Sequence, residues 1–296
     1  MKKIILATTA LVATAGFAAA GDISLNAAAK IGVDYTGKVG AAKATSVVIT
    51  ELDFGINASG ESDNGVAFGA SLDLDTTQTD TATTQNVIGD PEAYIAFGGL
   101  KLTVGAVDAA DDGIQNIADA GLFGIGVDNI AEAYTAGGSH NINVSYALDS
   151  VSFVVSTGSD SKDAAIAVSG SFSGFNVAVG YNTDKTTGAA TKNTATLALG
   201  YKMDAFSVNA LFAQQSATGA KDLNAMGLSV GYSMNALTLT ATYAQNDSAH
   251  PTKAGKTQSG FGIGASYDLG GGLSVAGGFG EVNDVTQADF GVAMKF

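Results

Sequence analysis

Residues 289–296 read DFGVAMKF, and the last side chain of the sequence is a phenylalanine. Phe290, Val292, Met294 and Phe296 recur at a spacing of two, with Asp289, Gly291, Ala293 and Lys295 between them. Neighbouring side chains of an extended strand leave opposite faces, so one face here is wholly apolar and the other carries both charges. The fold is decided by which of these faces meets water and what the other one meets.

The same alternation runs back through the chain. DISLNAAAKIGVDY (22–35) places Ile23, Leu25, Ala27, Ala29, Ile31, Val33 and Tyr35 on one face and Asp22, Ser24, Asn26, Lys30 and Asp34 on the other. VAFGASLDLD (66–75) sets Val66, Phe68, Ala70, Leu72 and Leu74 against Ser71, Asp73 and Asp75. INVSYAL (142–148), FNVAVGY (175–181), LALGYKM (197–203), LTLTATY (237–243) and FGIGASYDL (261–269) repeat it. Sixteen such stretches are predicted, among them 65–76, 91–97 and 287–296. Many run close to ten residues, about what a tilted strand needs to cross a bilayer, where globular strands average about five or six.

Composition agrees. Only 14% of the 296 residues are charged, against about 25% in soluble domains. Yet past the first 20 residues the sequence contains no stretch near the roughly 18 consecutive apolar residues of a spanning helix. A closed transmembrane β-barrel satisfies both facts, because its apolar residues are dispersed at every second position. Cysteine is absent, which excludes a disulfide framework, and a net charge of −14 argues against nucleic acid, which needs positive charge. At the front, Lys2 and Lys3 precede an apolar run that ends in Ala18, Ala19 and Ala20, the layout of a cleaved secretory leader. The expected organisation is a leader over 1–20 and one barrel domain over 21–296.

The connections also alternate. FGGL (97–100), FSGF (172–175), MDAF (203–206), MNAL (234–237) and LGGGL (269–273) read as tight turns. Residues 75–86, 157–163, 182–193, 214–222 and 246–257 read as longer polar loops, giving the rim asymmetry of outer-membrane barrels. The outward aromatics then fall into two belts. Tyr35, Tyr181, Phe212, Tyr243, Phe261, Phe279 and Phe290 lie toward the long loops, and Phe172, Phe175, Tyr201, Phe206, Tyr232, Tyr267 and Phe296 toward the short turns. An even strand number allows closure, so that the final strand pairs with the first and leaves no edge. A soluble β-sandwich would instead leave long, weakly charged strand faces in water.

FGIGASYDLGGGLSVAGGFGEVND (261–284) followed by ADFGVAMKF (288–296) resembles the carboxy-terminal end of the alphaproteobacterial general-diffusion porins of Gram-negative bacteria. The resemblance implies a 16-stranded outer-membrane barrel that passes small hydrophilic solutes and is assembled as a homotrimer among lipid and lipopolysaccharide. It further implies that Phe290, Val292, Met294 and Phe296 form the signal read by the barrel-assembly machinery, and that the third long loop folds inward as a constriction. That loop corresponds to residues 107–140, far longer than any other connection, with Ile114, Ile117, Leu122, Phe123 and Ile125 available to pack on the inner wall.

The loop is acidic. Asp108, Asp111, Asp112, Asp119, Asp128 and Glu132 occur with no lysine between Lys101 and Lys162. Carboxylates at a narrow constriction focus a field that attracts cations, so a cation-preferring pore is expected. The resembled family faces this loop with a basic cluster rich in arginine. This sequence departs from that pattern, because it contains no arginine. Lys30, Lys43, Lys101, Lys202 and Lys295 are the basic candidates on the lumen phase.

Other signals are weak. DAADDG (108–113) bunches Asp108, Asp111 and Asp112, a poor calcium candidate that lacks EF-hand spacing, and no cofactor is otherwise expected. Ser139, His140 and Asn141 invite comparison with a membrane-embedded hydrolase, but adjacent strand residues point apart and form no triad by themselves. His250, beside Pro251 in a loop, is expected to be exposed. A substrate-specific channel would call for stacked aromatics or repeated basic residues along the lumen phase, and neither is evident.

Overall fold

The structure is a computed structural model and describes residues 21–79, 85–135, 140–159, 162–185 and 190–296. The expected leader and Ser139 lie outside the described residues. Sixteen strands follow one another: β1 (Asp22–Thr36), β2 (Thr45–Glu61), β3 (Ala67–Thr79), β4 (Gln85–Phe97), β5 (Leu100–Val107), β6 (His140–Leu148), β7 (Val151–Thr157) and β8 (Ala164–Phe172). The second half comprises β9 (Phe175–Asp184), β10 (Lys192–Met203), β11 (Phe206–Ala217), β12 (Leu223–Met234), β13 (Leu237–Ala249), β14 (Thr257–Gly270), β15 (Leu273–Val282) and β16 (Val285–Lys295). Each pairs antiparallel with its neighbours in sequence, and β16 pairs with β1 to close the barrel. Closure runs through the opening stretch, with Phe290 opposite Val33, Val292 opposite Ile31 and Met294 opposite Ala29. Phe296 N–H donates to Ala27 O at 2.9 Å, so even the last residue is paired.

Apart from residues 62–66 between β2 and β3, two-residue turns close one rim, and their residues accept a left-handed backbone. Gly98 and Gly99 have φ of 56° and 85°, and Ser173 and Gly174 have 48° and 85°. Positive φ at both central positions is the twist-matching hairpin turn. The other rim carries longer connections, except between β15 and β16, where Asn283 and Asp284 make a tight turn with φ of 52° and 63°.

The outward face is apolar over most of its height, with polar residues such as Gln78, Gln245 and Glu281 toward the long-loop rim. Ile31, Phe54, Val104, Val177, Leu239 and Phe290 all stand exposed on it. At the short-turn rim the Phe175 and Tyr201 rings lie 4.3 Å apart and the Phe206 and Tyr232 rings 4.6 Å apart, each tilted pair adding about 0.5–1.5 kcal/mol beyond its buried area.

The sequence reading departs from the structure most between β3 and β4. The tract 75–86, expected as a loop, is strand through Thr79 and again from Gln85. The expected strand 91–97 has its edge between Asp90 and Pro91. Instead Asp90 takes φ 55° and the register shifts between Ser71 and Asp73, so a bulge absorbs both residues and pairing resumes beyond them.

Candidate functional site

The interior is divided unequally. The third connection at the long-loop rim, between β5 and β6 and here called L3, turns into the barrel through a short 3₁₀ turn (Asp112–Ile114) and one helical turn α1 (Asp128–Ala131). Its apolar side chains Ile114, Ile117, Ile125, Val127 and Ile130 bury against lumen-facing Ala165, Ala167, Ala178, Ala198, Leu211 and Ala244. Each large side chain so buried contributes about 1.5–3 kcal/mol, which suffices to fix a segment with almost no regular structure. Leu122 is also buried, while Phe123 stays half-exposed with its ring beside Gly32 and Lys30.

The wall meets L3 with glycine. A methyl group on Gly278 would sit 2.6 Å from Gly121 Cα, one on Gly227 2.6 Å from Ala131 Cβ, and one on Gly180 2.7 Å from Asp111 Cβ. Gly262 and Gly280 face each other across β14 and β15, as do Gly264 and Gly278, so a patch of bare backbone receives the tip of the loop.

Polar contacts spread along the same arc. Ala110 N–H donates to Ser156 Oγ on β7 at 2.7 Å, Asn116 Nδ2 to Leu199 O on β10 at 2.8 Å, and Ala118 N–H to Ser229 Oγ on β12 at 3.1 Å. Thr242 Oγ1 on β13 donates to Ala118 O, and Asn246 Nδ2 donates to Ile130 O at 2.9 Å. The tip is held by carboxylates. Leu122, Phe123 and Gly124 N–H all donate to Asp289 on β16, at 2.9, 2.7 and 3.2 Å. Asp119 accepts Ala120, Gly126 and Val127 N–H at 2.9, 2.8 and 3.4 Å. These convergent amides are available because Gly121, Gly124 and Gly126 adopt φ of 101°, 92° and 83°.

The six L3 acids are therefore not equivalent. Asp111 is fully buried, with Asn182 Nδ2 donating to its Oδ2 at 2.7 Å, and burial pushes its carboxyl up to about 7. Glu132 is buried as well. Asp119 is turned back onto its own loop, and burial, with Asp128 nearby, raises it to about 6. Asp108 is exposed, and Asp112 and Asp128 are half-exposed.

Opposite L3, the register puts Glu51, Asp53, Asp73, Asp75 and Glu92 of β2–β4 on the lumen face, Asp53 directly across from Asp75. Sequence reasoning did not include these acids among its candidates, although the alternation already gave Asp73 and Asp75 the polar phase. Of the five basic candidates, Lys30 and Lys101 stand on this wall. Lys30 Nζ lies 3.2 Å from Glu51, and Lys101 Nζ lies 4.5 Å above the Tyr94 ring. Tyr94 thus faces the lumen, against the outward trend of the aromatics. Lys202 and Lys295 share the lumen phase but sit at the short-turn rim. Lys43 is off the wall, because the turn at Gly40 and the Val39–Ala42 bridge end the alternation before β2.

Both histidines are structural. His140 Nδ1 lies 2.7 Å from Ser156 Oγ in a buried pair at the root of L3. His250, expected to be exposed, is buried instead. Its Nδ1 accepts Thr252 and Lys253 N–H at 3.2 and 3.0 Å, and its Nε2 lies 3.0 Å from Asp284, so a tight loop wraps the ring. Among the described residues no three His, Asp or Glu side chains are grouped to hold a metal ion. In DAADDG the Asp111 carboxylate meets Asn182 instead.

Comparison with known proteins gives a consistent family and fold. A sequence profile described as Gram-negative porin matches residues 7–287. Engineered variants of the Rh. blastica porin are similar in structure, with TM-score 0.75 at 23% identity for one and 0.75 at 24% for another. A triple variant of Rhodopseudomonas blastica porin gives 0.68 at 22%. Each comparison covers 93% of this chain and 100% of the other. No curated protein matches the sequence.

Proposed function

The chain belongs to the Gram-negative porin family, an integral β-barrel of the outer membrane, and from that premise we propose that it is a general-diffusion channel with cation preference, narrowed by L3. The observation that carries the reading is the placement of acids on both sides of the remaining lumen. Asp108, Asp112 and Asp128 lie on the loop, and Glu51, Asp53, Asp73, Asp75 and Glu92 on the wall that faces it. Among the described residues only Lys30 and Lys101 oppose them at that level, one beside a carboxylate and the other over a ring. A cleft lined by one sign of charge with low-dielectric walls concentrates counter-ions and excludes co-ions. The field across the pore is then not transverse, acid against base, but negative from both sides.

Solutes would pass by size and charge without saturation, since the lumen phase has no aromatic row among the described residues and Tyr94 already has Lys101 over its face. Homotrimeric assembly, contact with lipopolysaccharide and insertion through the terminal strand belong to the same proposal and rest on family membership. The buried His140–Ser156 pair gives no support to hydrolysis, because Ser156 Oγ also receives Ala110 N–H and both side chains are buried. The test is the zero-current potential across a salt gradient in a planar bilayer. The sign for preferential cation passage is expected, and an anion-selective sign rejects the reading.

A further inference from the structure

The outward face of the barrel is not uniformly convex. Over β12–β16 it is indented by a groove of about 840 Å³ with almost wholly apolar walls. One cross-strand row shows the cause: Leu239 lies opposite Ala265, Ala265 opposite Gly277, and Gly277 opposite Phe290. Backbone and methyl groups form the floor at Ala265 and Gly277, while Tyr232, Tyr267, Phe279 and Phe290 stand around it.

We propose that this groove is a binding site for one acyl chain of a phospholipid in the periplasmic leaflet. It is continuous with the outward apolar residues Val230, Leu239 and Ile263, so in the membrane hydrocarbon is the medium that meets it. Its depth selects the leaflet, because Phe290, expected toward the long loops, stands at mid-height on β16, five residues from either end. Ala265 lies five residues before the end of β14 at the short-turn rim, about 12 Å along the membrane normal for a strand tilted near 45°, within the nearer half of a roughly 30 Å core. Short turns face the periplasm in this class of barrel. A second barrel is the poorer occupant, because packing between proteins in lipid needs small residues that let backbones approach. Here the small residues Ala265 and Gly277 lie on the floor, below marginal rings that hold another backbone off them. A chain lodged between rings gains contacts on several sides that it lacks on a convex wall, so it exchanges more slowly than its neighbours.

The claim is independent of ionic preference and is tested on the intact protein extracted from outer membranes in mild detergent. Phospholipid retained per protomer is counted by native mass spectrometry for the natural chain, for Ala265→Phe, which fills the groove, and for Ala210→Phe, an outward substitution elsewhere. Loss of the dispersion contacts made inside the groove predicts retention lower severalfold in Ala265→Phe alone, with unchanged single-channel conductance in all three. Ala241→Phe gives the same reading if Ala265→Phe fails to insert. Equal retention in every variant overturns the proposal. So does efficient disulfide coupling between copies carrying Ala265→Cys, the chain having no cysteine of its own, since a second barrel would then occupy the groove.

Discussion

Asp289 stands on the lumen side of β16 with its carboxylate aimed at three successive amides of L3. Hydrogen bonds to a charged acceptor contribute about 1.5–3 kcal/mol each, and an amide in the same place presents one acceptor and one mismatched donor. Asp289→Asn is therefore expected to weaken docking of the loop tip by about 2–4 kcal/mol and to raise open-channel current noise, with the barrel still folded. A quiet trace identical to that of the natural protein contradicts the anchoring role. Asp111 acts in the opposite sense. Burial raises its carboxyl to about 7 from 3.8, so between those values the docked loop keeps a proton that the undocked loop has lost. Docking thus weakens as pH rises through that window and levels off above it. Amide exchange near Gln115, corrected for intrinsic chemistry, should be slower at pH 5.5 than at pH 8, and Asp111→Asn should flatten the difference. Asp289 was legible in the sequence as a lumen-phase residue of the final strand. Its task was not, because it depends on amides more than 160 positions away, which only closure brings near.

At the level of elements, L3 and its seat form a unit built from a loop rich in apolar residues and a wall stripped of side chains. The length of 107–140 marked a segment with a task, and the family resemblance implied that it folds inward with five apolar residues available to pack on the wall. Which acids would face water was hidden. Burial of Asp111 and Glu132 follows from where the chain turns, and the turns depend on glycines whose φ no pattern discloses. The seat gives a direct test. Gly278→Val places atoms where Gly121 now lies, an overpacking cost of about 1–3 kcal/mol that displaces the tip into the lumen. Smaller single-channel conductance and a lower size limit in liposome swelling are expected, and an unchanged limit would show that the tip does not define the aperture. The misread tract 75–86 teaches the complementary lesson. Threonine and glutamine are as common in loops as on strand ends above the hydrocarbon, and a bulge at Asp90 hides the continuity of β4 from any periodicity.

For the whole molecule, strand number and order were readable because a membrane imposes one rule at every position: hydrocarbon on one side of each strand and water on the other. Charge distribution was only partly readable. The scarcity of lysine and absence of arginine were plain, but the meeting of Asp53, Asp73 and Asp75 on one wall emerged from the register. Replacing these three by asparagine should reduce cation preference severalfold, measured as the shift in zero-current potential, while conductance in molar salt, where the field is screened, changes little. The account rests above all on alternate residues touching water and lipid around a closed cylinder. Single cysteines at Asn57, Ile56, Thr240 and Leu239, probed in native membranes with a small charged thiol reagent, test it most directly. Labelling of the cysteines at Asn57 and Thr240 with protection of those at Ile56 and Leu239 is predicted; labelling of Ile56 and Leu239 positions at equal or greater rates would contradict the barrel as described.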